Sequence, residues 1–134
     1  MNSKFKGLGV AMVTPFTETN EIDYEAVKKL IEYLIKGNVN YLVLLGTTGE
    51  SVVLSEEEKT YLVRFVVQNV NNCLPIVMGM GGNNTSAVIS TMKNFNLTGI
   101  DGLLSVNPYY NKPTQKGLEP VSYTHLTLPT KRIV

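Results

Sequence analysis

The chain has no tryptophan, one cysteine and one histidine among 134 residues, and each shortage closes off a kind of chemistry. With Cys73 alone, no internal disulfide can form and no set of thiols stands at metal-ligand spacing, which fits a reducing compartment. Cys73 is read as inert. His125 lies near the C-terminus with neither an acid nor a nucleophile patterned around it, so a histidine-centred catalytic group is not expected. Charge of one sign is lacking as well. The formal net charge is +1 at pH 7, and the lysines and arginines are scattered without a basic run, which removes the electrostatic footprint of a nucleic-acid binder. Long hydrophobic runs are absent too. Leu8 to Val13, preceded by Lys4 and Lys6, comes nearest to a secretory signal, but Pro15 and Phe16 end it without a small-residue cleavage site, and it is too short to span a bilayer. A cytoplasmic globular domain is expected. Asn83, Asn84 and Asn96 each start an N-x-[ST] pattern and are read as turn and cap residues rather than glycosylation sites.

What is present is an alternation of short apolar runs with amphipathic segments. Gly7 to Thr14 is apolar at nearly every position and closed by Pro15, the pattern of a strand buried on both faces. Asp23 then caps a helix whose Val27, Leu30, Ile31 and Leu34 share a face before Gly37 and Asn38 stop it. Tyr41 to Leu45 is the second strand. Ser55-Glu56-Glu57-Glu58 forms a capping box for a helix carrying Leu62, Phe65, Val66 and Val70. Ile76 to Met80 is a third strand, followed by a helix capped by Asn84 or Thr85 and carrying Val88, Met92 and Phe95; Gly99 breaks it, and Gly102 to Val106 is a fourth strand. Successive strands arrive roughly thirty residues apart, the spacing of βα units in a parallel sheet. Because the runs lack polar alternation, the sheet is expected to be covered on both faces, as in a doubly wound sheet or a (β/α)8 barrel.

The last fourteen residues break the pattern. After Glu119 and Pro120 no amphipathic helix is evident, and Val121 to Thr130 alternates like an isolated strand before a basic end. Residues 1–120 are therefore read as one βα domain and 121–134 as an unrelated tail, artefactual or disordered.

The polar and glycine-rich segments all follow strands, on the edge where such sheets bind ligands. Gly46-Thr47-Thr48-Gly49-Glu50-Ser51 places two hydroxyls between two glycines, a backbone that turns sharply while Thr47 and Thr48 offer donors to a carboxylate or oxyanion. A plain capped turn is the structural alternative. Gly79-Met80-Gly81-Gly82-Asn83-Asn84 is a poor match to a dinucleotide-binding loop, because the third glycine is missing and Asp101 precedes its strand instead of closing it. Asn107-Pro108-Tyr109-Tyr110-Asn111-Lys112-Pro113 holds two phenols between prolines, suited either to proton relay or to shielding an interface.

Taken together, Gly7-Leu8-Gly9-Val10-Ala11-Met12-Val13-Thr14-Pro15-Phe16, Gly46-Thr47-Thr48-Gly49-Glu50-Ser51 and Asn107-Pro108-Tyr109-Tyr110-Asn111-Lys112-Pro113 resemble the N-terminal part of the dihydrodipicolinate synthase (4-hydroxy-tetrahydrodipicolinate synthase) family. These are pyruvate-dependent aldolases of bacterial lysine, or diaminopimelate, biosynthesis. The resemblance runs from about Phe5 to about Leu118. It implies a (β/α)8 barrel acting as a homotetramer without metal or bound cofactor, in which pyruvate forms a Schiff base with a lysine and its enamine attacks aspartate 4-semialdehyde. By motif position Thr48 is implied as the pyruvate-carboxylate contact, Thr47 as a relay hydroxyl, and Tyr110 as the relay tyrosine that reaches a neighbouring subunit.

The family's Schiff-base lysine belongs to the sixth strand and its second tyrosine to the fifth, whereas four strands are recognised here. Lys28, Lys29, Lys36, Lys59 and Lys93 fall on helices and Lys112 on a loop. A barrel of this type takes about 250 residues, so the expectation is a truncated and inactive half-barrel. N-acetylneuraminate lyase and the 2-keto-3-deoxy-sugar-acid aldolases share the Schiff-base chemistry with another aldehyde, but the Thr47-Thr48 and Tyr109-Tyr110 pairs favour the synthase. From a different class, the alternative is a non-catalytic half-barrel module whose glycine loops are only turns.

Overall fold

The computed structural model describes residues 3–126. Strands β1 (Gly9–Ala11), β2 (Tyr41–Leu44), β3 (Ile76–Gly79) and β4 (Gly102–Leu104) alternate with helices α1 (Tyr24–Lys36), α2 (Glu56–Val70), α3 (Thr85–Asn94) and α4 (Gln115–Leu126). All neighbouring strands are parallel, in the order β1-β2-β3-β4. An order that never reverses is that of consecutive barrel strands, since a doubly wound sheet reverses at a switch point. The fold is α/β, four successive strands of a (β/α)8 barrel.

Local chemistry sets the helix boundaries. The Asp23 carboxylate accepts the Ala26 N–H at 2.9 Å, and Val27, Ile31 and Leu34 bury one face of α1. At α2 the reciprocal capping box is complete: Glu58 N–H donates to Ser55 Oγ at 3.2 Å and Ser55 N–H to Glu58 Oε2 at 2.8 Å. Leu62, Val63, Val66 and Val70 are its buried stripe. Phe65 is half-buried and meets Tyr24 with ring centroids 4.9 Å apart, joining α2 to the start of α1. That contact, with Glu58 and Tyr61 nearby, raises the Tyr24 phenol above its ordinary value, burial being the larger cause. Asn84 caps α3 by accepting the Ala87 N–H at 3.1 Å.

Three expectations need correction. Among the described residues the helices cover one face of the sheet only, although Val77 on the other face is buried as well. Register places Val10, Leu42 and Ile76 in one row and Leu44, Met78 and Leu103 in another, and these side chains form one core cluster with Val27, Ile31, Val66, Val70, Val88 and Met92 of the helices. The opposite face carries the row Ala11, Val43, Val77 and Gly102. Near it Val13 is 50 %, Leu104 42 % and Val106 48 % exposed. An apolar run without alternation records two apolar faces, and a barrel interior supplies the second as well as a layer of helices does.

Secondly, β1 is shorter than the Gly7 to Thr14 run. Gly7 turns with φ +94°, and the Leu8 N–H is taken by the Asn40 side-chain oxygen at 2.7 Å instead of a neighbouring strand. Thirdly, a helix does follow β4. Thr114 starts α4, accepting the Gly117 N–H on its hydroxyl at 3.2 Å and the Leu118 N–H on its carbonyl at 3.0 Å. The helix continues through Pro120 to Leu126. Proline has no N–H to give, but its fixed φ is a helical one, so an interior proline weakens the element without dictating its end. The remainder of the strand-like segment, residues 127–130, lies outside the described residues.

The capping box generates a pH prediction. The Ser55 N–H, and after it the Ser55 hydroxyl, hold the Glu58 carboxyl below its ordinary value of 4.5. A depressed carboxyl stabilises the fold fully above its unfolded value, and that share is lost as pH falls through the lowered native value. Thermal melts from neutral pH into the range below 4.5 should show a flatter acid limb for Glu58→Gln than for the wild type. Ser55→Ala should also cost about 1 kcal/mol at neutral pH through the lost cap.

Candidate functional site

The C-terminal ends of the four strands share one edge, and the loops that follow them are tied together there. β2 leaves the ladder at Leu45, which has φ +54°. Gly46 is extended, Thr47–Gly49 makes a single 3-10 turn, and Glu50 is again left-handed at φ 52°, ψ 34°. Within the turn the Gly49 N–H donates to Gly46 O at 3.0 Å and the Glu50 N–H to Thr47 O at 3.1 Å. Two non-glycine residues in the left-handed region cost about 1 kcal/mol each or more, so contacts from outside must hold this segment in shape.

Two such contacts exist. A Cβ on Gly79 would lie 2.3 Å from the Leu45 carbonyl oxygen and 2.9 Å from the Gly46 nitrogen. Only glycine at the end of β3 lets the loop start where it does. At the other end, the buried Thr14 hydroxyl donates to the Gly49 carbonyl at 2.7 Å. The turn thus hangs between β1 and β3, with Gly49 buried and Thr47 and Thr48 exposed.

The loops after β3 and β4 are joined by one side chain. Asn83 Oδ1 accepts the N–H groups of both Tyr109 and Tyr110, at 2.8 and 2.9 Å. The Met80 N–H donates to Leu104 O at 2.9 Å, and a Cβ on Gly81 would sit 2.6 Å from Val106 Cγ1. Gly79 and Gly81 are therefore filled by the protein's own backbone and Val106, which accounts for the poor nucleotide-loop pattern: these glycines admit neighbouring strands. Tyr110 is 85 % exposed and projects outward; Tyr109 is 51 % exposed.

Thr47, Thr48 and Tyr110 consequently all stand on loops at one edge of the sheet, as read from the sequence. Among the described residues the Thr47 and Thr48 hydroxyls make no hydrogen bond to protein, leaving both open to a ligand. The described strands end at Ala11, Leu44, Gly79 and Leu104, so none delivers a lysine to this edge. Lys28, Lys29 and Lys36 ride on α1, Lys59 on α2, where it pairs with Glu56 at 2.7 Å, and Lys93 on α3; Lys112 is exposed on the loop after β4. Among the described residues no three histidine, cysteine, aspartate or glutamate side chains are grouped so that they could hold a metal ion. A cavity of about 450 Å³ lies at the opposite edge, lined by Lys4, Asn72, Ile76 and Asp101. Its charges are spent, Lys4 on Asp101 at 2.5 Å and Asp101 also on the Ile76 N–H at 2.9 Å. It has less to offer chemistry than the loop edge, where donors stand free.

Sequence reasoning had no role for Thr14 and treated Asn83 as a cap or turn residue. Asn84 takes the cap, which frees Asn83 for the tyrosine loop. A second amide directly before a cap was the available signal.

Residues 4–125 match the model of the dihydrodipicolinate synthetase family. Over 113 residues the chain is 50% identical to the 4-hydroxy-tetrahydrodipicolinate synthase of Parabacteroides distasonis, a match covering 84% of this chain and 38% of that one. A dihydrodipicolinate synthase crystal structure from Bacillus anthracis superposes with a TM-score of 0.82 at 42% identity, over 87% of this chain and 40% of its own. The chloride-inhibited dihydrodipicolinate synthase of Acinetobacter baumannii, solved in complex with pyruvate, superposes with a TM-score of 0.87 at 36% identity, over 95% and 44% of the two chains. The chain spans about two fifths of the length of these relatives.

Two substitutions test the geometry. Gly79→Ala forces its Cβ against backbone, which cannot swing aside, and should lower stability by about 1–3 kcal/mol in urea unfolding. Asn83→Ala should speed amide exchange at Tyr109 and Tyr110 while leaving the α3 amides unchanged; Asn83→Asp, which keeps an acceptor oxygen, should restore most of the protection.

Proposed function

The chain belongs to the dihydrodipicolinate synthetase family, and from that premise we propose that its barrel serves 4-hydroxy-tetrahydrodipicolinate synthesis in the cytoplasm, condensing pyruvate with aspartate 4-semialdehyde. The observation that carries this reading is the Thr47-Thr48 turn, two exposed hydroxyls, unpartnered among the described residues, at the C-terminal edge of a parallel barrel sheet. A carboxylate needs directed donors, and Thr48 supplies them from a turn whose backbone is already fixed. The pyruvate complex of the Acinetobacter baumannii relative agrees with that ligand class.

In the reaction, the ketone of pyruvate condenses with a lysine amine and loses water. The iminium withdraws electrons, a methyl proton leaves, and the enamine carbon attacks the aldehyde carbon, whose oxygen then takes a proton; the amine of the semialdehyde then adds to the re-formed iminium carbon, closing the ring and expelling the lysine amine. Thr47 and Tyr110 are the relay groups for those protons. The lysine, on this reading, belongs to a strand beyond the four described, as does the second tyrosine. No cofactor is needed, because the iminium itself is the electron sink.

Self-association, in a homotetramer, is part of the proposal. Val52 and Val53, 79 % and 64 % exposed directly after the threonine turn, stand on the same edge as Tyr109 and Tyr110. Apolar and phenolic groups this open suit burial against a second copy, with Tyr110 entering the neighbour's site.

Titrating the chain with pyruvate while following the amide resonances of residues 46–50 tests the carboxylate assignment. Shifts should concentrate at Thr48 and Gly49 and disappear in Thr48→Val. Adding borohydride should leave the mass unchanged. An adduct would place a reactive lysine among those here, and a titration that leaves residues 46–50 unmoved would overturn the role of Thr48.

A further inference from the structure

We propose that Thr14 is a positioning residue for the Thr47-Thr48 turn, acting through the hydrogen bond from its hydroxyl to the Gly49 carbonyl; the inference rests on the reading of Thr48 as the carboxylate contact. Thr14 is the one buried polar side chain among the described residues, 5 % exposed. Valine has nearly its shape and would occupy the same space without a hydroxyl to satisfy, so burial by itself gives no reason for threonine. The hydroxyl is used instead on a carbonyl 35 positions away in the sequence, at 2.7 Å.

The acceptor is as confined as the donor. A Cβ on Gly49 would lie 3.1 Å from the Met12 carbonyl oxygen and 3.6 Å from Thr14 Oγ1, so the segment directly after β1 presses on this residue at two points. The Gly49 N–H already closes the turn on Gly46 O. Its carbonyl direction then fixes the peptide plane shared with Glu50, the left-handed residue that ends the turn. Releasing that carbonyl would let Glu50 relax and rotate the preceding peptides, which carry the Thr47 and Thr48 side chains. Gly79 holds the start of the segment by shape alone, whereas Thr14 holds its end by a directed bond. The substrate-facing hydroxyls lie between the two.

The test uses Thr14→Val and Thr14→Ser in the whole chain, with pyruvate as probe. The valine variant should keep its circular dichroism spectrum and its melting temperature within a few degrees. It should shift the Gly49 carbonyl carbon resonance, speed amide exchange at Gly49 and Glu50, and weaken pyruvate binding about tenfold, the scale of one lost hydrogen bond of ordinary strength. Serine should restore all three. If valine leaves the turn's exchange and the Gly49 carbonyl resonance unchanged, or if serine behaves like valine, the proposal is overturned. Should the wild type not bind pyruvate, the carboxylate reading of Thr48 fails, and the exchange data still decide whether Thr14 orders the turn. Should the valine variant not fold, the wild-type Thr14 hydroxyl proton decides: it should exchange slowly and couple across the bond to the Gly49 carbonyl, and its absence would overturn the assignment.

Discussion

The Leu45 carbonyl lies over the bare Cα of Gly79, and the arrangement of the loop edge depends on that contact. β2 and β3 pair in register as far as Leu44 and Met78. At the next step Leu45 leaves the sheet through a left-handed φ, and its carbonyl turns across the end of β3 into space that any side chain at position 79 would fill. Register therefore decides where the turn begins. A slip of one residue would exchange the two faces of β3, set Met78 or Met80 beneath Leu45, and push the threonine turn away from β1, beyond the reach of Thr14.

The elements were legible because their determinants are local. Asp23, the Ser55 and Glu58 pair and Asn84 each bond within three residues of themselves, so the sequence shows both partners together. The loop edge that carries the candidate site was legible for a similar reason: glycines and hydroxyls placed directly after an apolar run mark a strand end. What could not be read was long-range. Thr14 meets Gly49 across 35 positions and Asn83 meets Tyr109 across 26, and nothing near either residue announces a partner that far away. The glycines of the loop after β3 misled in the same manner, since a glycine that admits a neighbouring strand has the same local signature as one that admits a phosphate. Residues after Glu119 misled differently. Their alternation was taken as a strand, but α4 is set by Thr114, upstream of the alternating segment.

The sheet's two faces contribute differently to the chemistry. The face under the helices is dry and close-packed, with Leu42 fully buried and Val66 and Val70 against the same core, and it supplies a rigid base from which the loops project. The other face is apolar, with Val77 buried and Val13, Leu104 and Val106 exposed. Those three side chains are open to water.

The proposed Schiff-base chemistry needs that water removed. A lysine becomes nucleophilic near neutral pH when burial disfavours its charged form, and a hydroxyl relay is directional only where bulk water cannot compete for its protons. Threonine and tyrosine hydroxyls are weak acids, so Thr47 and Tyr110 can serve as a relay by alignment but not by acidity. The contacts from Thr14, Gly79 and Asn83 fix the backbone of the loops that carry these hydroxyls. The apolar open face and the fixed hydroxyls are thus two parts of one requirement. On the proposed reading, the loops would hold the proton path in place, and covering Val13, Leu104 and Val106 would supply the low dielectric in which that path, and a neutral lysine, operate.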